Sequence, residues 1–478
     1  MLHTQFCQDL LKFFEKKSKA NVNLICALAS NSNAKSVIEL AEAPVFNYQY
    51  SSICDSIDAV HASKQDDTCG SLEDRMLLDK KLYKQFAPYL PEKSFGKFRL
   101  LNTDVTSITR EHSPTLKDKE YVHVNNTVIP GNKPIGIGYR ISTVGLSARE
   151  DNVAWNLPLS MLKVPLEMKS SQFAAKQINA LFSEKELFSD DLVVNALDSA
   201  YCNIGYLHPV EGQDNLTNII RIAGNRKVYH SYKGTCRTGK GAKNKYGKVF
   251  KLNNPSTHTT ADKTGQFDVI LKNGRECKVA IHFWGNMLIR GKRDQPMHNN
   301  PFNLIAIQLT DAQTGLPLFK ETLWLTVWGK RRNELLLQEI YYSYRFRFDI
   351  EFFFRFGKQK LLLNQFQTPS HEHQQSWLIV VQLSYWLLYL SRKQGQSFIR
   401  KWEKYLPNYK DQNIKEHQNT IVKTPTQTQR AMQGIILSFA KEHLVPKTRN
   451  KSSGRVKGAK QIPRERFPVV KKGKKKAA

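Results

Sequence analysis

Tyr344, Arg347, Glu351 and Lys358 follow one another at intervals of three, four and seven residues within the run YRFRFDIEFFFRFGK. At about 100° per residue these intervals place all four within an arc of roughly 60° on one helix face. A carboxylate flanked by two cations and a phenol can hold a metal ion through the acid and phosphate oxygens through the other three. That chemistry suits a phosphodiester better than a sugar or a peptide. The alternative for the same spacing is a solvated face laced with charge pairs. Phe346, Phe348, Ile350, Phe352, Phe353, Phe354 and Phe356 argue against it, because they make the rest of the helix apolar and leave the stripe to face a cleft. Asp349 projects about 160–180° from the stripe, so on a regular helix it cannot join the same site.

Two-metal phosphoryl transfer needs several carboxylates converging on ions roughly 4 Å apart. Two further acids stand where a sheet can deliver them. Asp104 ends the apolar run Phe98-Arg-Leu-Leu-Asn-Thr-Asp104, and Asp198 ends Asp191-Leu-Val-Val-Asn-Ala-Leu-Asp198. Each lies at the C-terminal end of a strand, the end at which open α/β sheets place their sites. Asp190 and Asp191 sit at the opposite end of the second strand and are set aside. His123, in a polar loop, reads as a solvated side chain.

The elements that must carry these acids read as α/β. Residues 1–96 are helical in pattern, a domain of their own. Strands are expected at Phe98–Asp104, Ile135–Val144 and Val153–Val164, then a helix over Ser171–Phe182, then strands at Asp191–Asp198 and Ile219–Ile222. The interval from Asp198 to Glu351 is too long for a loop within a compact domain. Its alternating stretches, Phe267–Leu288 and Leu304–Trp328 with a turn at Lys272-Asn-Gly-Arg275, predict a β-rich insertion over 230–330. The core therefore divides into 97–229 and 331–445, the second part ending in helices at Trp377–Leu390 and Gln429–His443. From residue 446 the composition is that of a disordered basic tail, with thirteen Lys or Arg against one Glu after Val445.

A length of 478 residues calls for several domains or subdomains, and 40% apolar residues suffice for a real core. A formal charge of +30 and a pI near 9.7 point to a polyanionic partner. The longest apolar run, Trp377–Leu390, is interrupted by Gln382 and Ser384 and is shorter than the ~20 residues of a membrane span, so nucleic acid is expected rather than a membrane. Seven scattered cysteines without a C-x-x-C pair predict reduced thiols and no structural zinc. The first residues lack the pattern of a secretory signal, so a cytoplasmic, nucleoid-associated protein is expected.

Leu101-Asn-Thr-Asp104-Val-Thr106, Ala196-Leu-Asp198-Ser-Ala-Tyr201 and the Y-x2-R-x3-E-x6-K spacing of Tyr344, Arg347, Glu351 and Lys358 together resemble the DDE transposases of bacterial insertion sequences, specifically the insertion-sequence-four group and its relatives. The resemblance extends over about residues 1–470, although its motifs occupy three short segments. It implies an RNase H-like catalytic core interrupted by the β-rich insertion, with a helical N-terminal DNA-binding domain and C-terminal helices. Asp104, Asp198 and Glu351 are then the catalytic acids and the ligands of Mg²⁺, for which Mn²⁺ can substitute. Tyr344, Arg347 and Lys358 would contact DNA phosphates. Trp324 and Trp328 are candidates to receive a flipped base, with core packing as the alternative for tryptophans in alternating strands. The implied partners are DNA, both the terminal repeats of the element and the target, and a second copy of the chain in a synaptic dimer. The implied activity is endonuclease and strand transferase in DNA recombination and transposition. Two other readings are a catalytically inactive or domesticated DNA-binding derivative and an RNase H-like nuclease without strand transfer.

Overall fold

The computed structural model describes residues 2–60, 72–124, 134–150, 153–232, 234, 244–271, 273–394, 422–439, 454, 456–460 and 463–470. In chain order the elements are α1 (Leu2–Phe13), α2 (Ser18–Ala29), α3 (Ser52–Ala59), α4 (Leu72–Phe86), β1 (Phe98–Thr109), β2 (Glu120–His123), β3 (Ile135–Glu150), β4 (Val153–Lys163), α5 (Ser170–Phe182), α6 (Lys185–Phe188), β5 (Leu192–Leu197), α7 (Ile204–Val210), β6 (Leu216–Arg221), β7 (Lys227–Ser231), β8 (Tyr246–Lys251), β9 (Lys263–Ile270), β10 (Glu276–Met287), β11 (Phe302–Asp311), β12 (Leu323–Trp328), α8 (Leu337–Phe346), α9 (Asp349–Lys360), α10 (His371–Leu390) and α11 (Pro425–Phe439). They pack as two units. One comprises Met1–Pro91, Val105–Lys169 and Asp349–Ala478, the other Glu92–Asp104 and Ser170–Phe348.

The second unit is built on a mixed sheet in the order β1-β5-β6-β12-β11-β10-β9, to which β1 contributes its residues up to Asp104. Strand β5 runs parallel to both β1 and β6, and β12 returns antiparallel on β6. The β-rich stretch expected to form a subdomain of its own does not stand apart. Its strands β9 to β12 extend the sheet, because β6 offers a free edge and β12 supplies the buried run Leu-Trp-Leu-Thr-Val-Trp to fill it. Helix α8 covers one face, burying Ile340 and Tyr341 among Phe98, Leu100, Leu192, Val194, Ala196 and Ile219. Its first turn is closed by Glu339, whose carboxylate accepts the Leu336 N–H at 2.8 Å. On the other face the Tyr206 hydroxyl of α7 accepts from Asn195 Nδ2 at 2.8 Å and donates to Asn218 Oδ1 at 2.7 Å. The buried amides beneath the strand ends are thereby paired across the sheet.

In the first unit β2 and β4 both pair with β3. Strand β3 in turn lies beside the last residues of β1, where the Arg110 N–H donates to Ile137 O at 2.7 Å. The approach is so close that a Cβ on Gly138 would meet Ile108 O at 1.9 Å, which requires glycine there. Helix α10 is buried along nearly its whole length; Trp386 stacks on Phe86 of α4, and the Gln382 amide donates to Pro158 O and Leu159 O of β4. Among the described residues no helix is long and apolar enough to cross a membrane. The end of the chain departs from the disorder expected of a basic tail. The Phe467 N–H donates to Pro114 O at 2.9 Å and that of Val470 to Lys119 O at 2.8 Å, so this apolar interruption of the tail lies along the β2 edge in a parallel bridge with Glu120. The other tail residues, apart from 454, 456–460 and 463–470, lie outside the described set.

Asp79 on α4 is 1% exposed, accepts from the hydroxyl of Ser160 on β4 and from Tyr83 at 3.5 Å, and has no cation beside it among its interactions. Burial raises its carboxyl from 3.8 to about 7, against the smaller opposing pull of the two hydroxyls. Because the folded value lies above the unfolded one, the folded state holds the proton more tightly. Stability is therefore greatest below pH 4, declines as the pH rises toward 7 and is level above that. A shift of about 3 units corresponds to on the order of 4 kcal/mol. Asp79→Asn is expected to raise the thermal midpoint at pH 8 and to flatten its slope between pH 5 and 7. Parallel pH profiles for the two proteins would show that Asp79 is not the group responsible.

Candidate active site

The site in the second unit follows from strand register. Asn102 of β1 stands opposite Ala196 of β5. Side chains two residues apart share a face, so Asp104 and Asp198, two residues further on, project from the same face of neighbouring parallel strands about 5 Å apart. That face is the one α8 covers, and beyond Asn102 and Ala196 its apolar contacts give way to the two acids. Leu197 stands opposite Ile220, which brings Arg221 of β6 level with Asp198 on its other side. The result is a row Asp104, Asp198, Arg221 across three strands, at the ends of β5 and β6 but midway along β1, which runs on to Thr109 past the end expected at Asp104.

Helix α8 delivers the next groups. Its last carbonyl, that of Phe346, accepts from Asn102 Nδ2 at 3.1 Å, which ties the helix end to β1 two residues before the acid. Arg347 follows immediately and pairs with Asp104 at 3.5 Å, its guanidinium 5.7 Å from the centre of the Tyr344 ring. Burial pushes the Tyr344 phenol up, and the neighbouring Asp198 charge adds to this against the pull of Arg347 and Arg221. Tyr344 is accordingly a neutral hydrogen-bonding group at neutral pH. Two carboxylates, two guanidinium groups and a phenol thus share one end of the sheet, a combination suited to a metal-assisted reaction at a phosphate.

The stripe on a single helix expected from the sequence is not what forms. The α-helical ladder stops at Phe346 and resumes at Asp349, and across the break the N–H groups of Arg347 and Phe348 reach back only three residues, to Tyr344 O and Arg345 O. Tyr344 therefore sits on α8, Arg347 in the turn, and Glu351 and Lys358 on α9. The roughly 60° arc does not apply across that turn. Tyr344 and Arg347 belong to the second unit with Asp104 and Asp198, whereas Glu351 and Lys358 belong to the first.

Within the first unit Glu351 is half-buried in the first turn of α9. The Lys358 ammonium donates to Thr106 Oγ1 at 2.7 Å and to Ser107 O at 3.0 Å, and burial lowers its pKa. Asp349 is 2% exposed and forms a bidentate pair with Arg149 of β3, at 2.8 and 2.6 Å. Asp349 is the buried member of the pair, and the partly exposed Arg149 guanidinium neutralises it.

Trp324 and Trp328 are packed as core side chains on β12. Trp324 lies in an aromatic cluster with Phe250, His258 and Trp284, and Trp328 stacks on Phe302 with ring centres 4.3 Å apart. Both alternate with Leu325 and Val327, which line the α8 face, so both indoles project from the face opposite the acid pair. Asp191, at the far end of β5, is engaged by Arg99 and Lys93. Among the described residues no three His, Cys, Asp or Glu side chains form a ready-made metal cluster, and the acids that strand pairing aligns are two. One group went unrecognised in the sequence: Arg221 was legible only as a charge inside Ile219-Ile-Arg-Ile.

No family model matches the chain, and no curated protein matches it in sequence. Among solved structures it is similar to a piggyBac transposase in a synaptic complex with hairpin DNA, with 10% identity and a TM-score of 0.34 over 94% of this chain and 87% of that one, a likeness too loose to fix the fold.

Proposed function

We propose that the chain is a DNA transposase of the DDE type that cleaves at the ends of a mobile element and joins the freed 3′ ends to target DNA. The observation that carries this reading is the parallel register that sets Asn102 opposite Ala196 and so brings Asp104 and Asp198, two residues on, to one face of neighbouring strands, with Arg347 paired to Asp104. Strand orders β4-β3-β1 in one unit and β1-β5-β6 in the other support an RNase H-like core.

Two carboxylates at this spacing fit Mg²⁺, which is commonly held by one or two protein acids and completed by water and substrate phosphate. Asp104 and Asp198 would hold the ion, with Glu351 as a third ligand. When bound, it supplies Lewis-acid stabilisation of the phosphate and activation of the attacking oxygen. The protein's own part is positioning. Arg221 and Arg347 hold phosphate oxygens as planar two-donor groups, and Tyr344 adds a neutral donor. Lys358 is the further phosphate contact of this reading. Water is the nucleophile for cleavage and the 3′ hydroxyl for joining, so no covalent protein intermediate is needed. Cutting two ends together calls for two copies of the chain.

The test is incubation of labelled DNA carrying the inverted repeats that flank the gene with the full chain and Mg²⁺. End cleavage followed by joining to a target plasmid is expected. Cleavage without joining would identify a nuclease, and binding with neither would identify a DNA-binding derivative.

A further inference from the structure

We propose that Lys227, Lys251 and Arg290 form a docking row for the phosphate backbone of duplex DNA on the β7–β8 ribbon, apart from the Asp104–Asp198 site. The inference takes from the proposed function only that DNA is the partner. The ribbon is a two-stranded sheet of its own in the second unit. Val228 stands opposite Phe250, both fully buried, and Phe250 packs edge-on against Trp284 and Trp324. The ribbon therefore lies over the sheet face opposite α8. The next pair along it, Lys227 opposite Lys251, projects from its outer side.

A third segment adds the third cation. Just past β10, Leu288 exchanges both backbone hydrogen bonds with Tyr229, at 2.9 and 2.7 Å, in an antiparallel bridge. Two residues on, Arg290 comes level with Lys227, and its guanidinium lies over the rings of Tyr229 and Tyr246, 4.9 and 5.7 Å from their centres. Neighbouring strands are about 5 Å apart, so Arg290, Lys227 and Lys251 stand abreast across roughly 10 Å. All three are exposed, and among the described residues none forms an ion pair with an acid. Like charges directly opposite on neighbouring strands are destabilising, and here no carboxylate relieves them. A phosphate backbone supplies the missing negative charge. Stacking on two tyrosines holds the planar guanidinium in place and leaves its N–H fork to a phosphate. The lysines act as point charges, so the row grips the backbone without selecting sequence.

The experiment compares the full chain as wild type with a triple variant, Lys227→Ala, Lys251→Ala and Arg290→Ala. A control removes the same charge through Lys176→Ala, Lys185→Ala and Lys320→Ala, all exposed side chains of the same unit. Affinity for a random-sequence duplex and for one carrying an element end is titrated across salt concentrations by fluorescence anisotropy, with thermal midpoints alongside. Each phosphate contact contributes about 0.9 to the slope of log affinity against log salt, so the triple variant should flatten the slope by about 2 to 3 on both duplexes and the control by less than about 1. The midpoint of the triple variant should be unchanged or higher, because repulsion is removed. Arg290→Lys should weaken binding in part, since an ammonium keeps the charge and loses the two-donor geometry. An unchanged slope in the triple variant, or an equal flattening by the control, would overturn the row. Loss of binding to anionic lipid vesicles with DNA binding intact would assign it to a membrane surface instead and overturn the DNA assignment. A wild-type chain that binds neither duplex would overturn the DNA partner of the proposed function as well.

Discussion

Asp104→Asn and Asp198→Asn are each expected to abolish Mg²⁺-dependent cleavage, by on the order of 1,000-fold or more, while DNA binding is kept or strengthened. A loss of that size is about 4 kcal/mol in the barrier. It is the scale expected when one of two aligned carboxylates can no longer share a divalent ion. Binding should hold because affinity for DNA comes chiefly from neutralising phosphates, and removing a negative charge beside Arg221 and Arg347 does not weaken that. Both variants keep the shape of the side chain at the strand end. A cleavage assay paired with a binding titration separates the two effects, and an active Asp198→Asn would remove that acid from the chemistry.

Asp349→Asn is expected to act differently, as a loss of folding. The substitution removes the carboxylate that the partly exposed Arg149 guanidinium holds in a bidentate pair, and losing hydrogen bonds to a charged group costs roughly 1.5–3 kcal/mol. Denaturant unfolding should show a lowered midpoint. A double replacement, Arg149→Met with Asp349→Leu, should recover much of the loss, since an apolar side chain can take the place of the buried carboxylate and no charge is left without its partner. Glu351→Gln, two residues away and half-buried, should leave the midpoint near wild type and remove cleavage. A wild-type midpoint for Asp349→Asn would mean that the pair contributes nothing to stability.

What the sequence made legible were runs whose burial is complete. Leu192 to Leu197 reads as a strand because it is apolar up to the acid that follows it, whereas Phe98 to Asp104 marks only the first part of β1, which runs past the acid to Thr109. Their register is a long-range property, and with it went the alignment of Asp104, Asp198 and Arg221. The break between α8 and α9 was hidden for a different reason. Phenylalanines surround that segment on all sides, no Gly or Pro marks positions 347 and 348, and the turn is made by shortened hydrogen bonds alone. The joining of β12 to β6 was likewise invisible, because an alternating hairpin pattern does not say which free edge the hairpin will extend.

The central claim, that Asp104 and Asp198 hold a divalent ion between them, is tested most directly by anomalous scattering from crystals of the full chain grown with Mn²⁺. The account predicts an anomalous peak bonded to carboxylate oxygens of both Asp104 and Asp198, absent from crystals of Asp198→Asn. Mn²⁺ bound elsewhere on the chain, with none at these two acids, would contradict it.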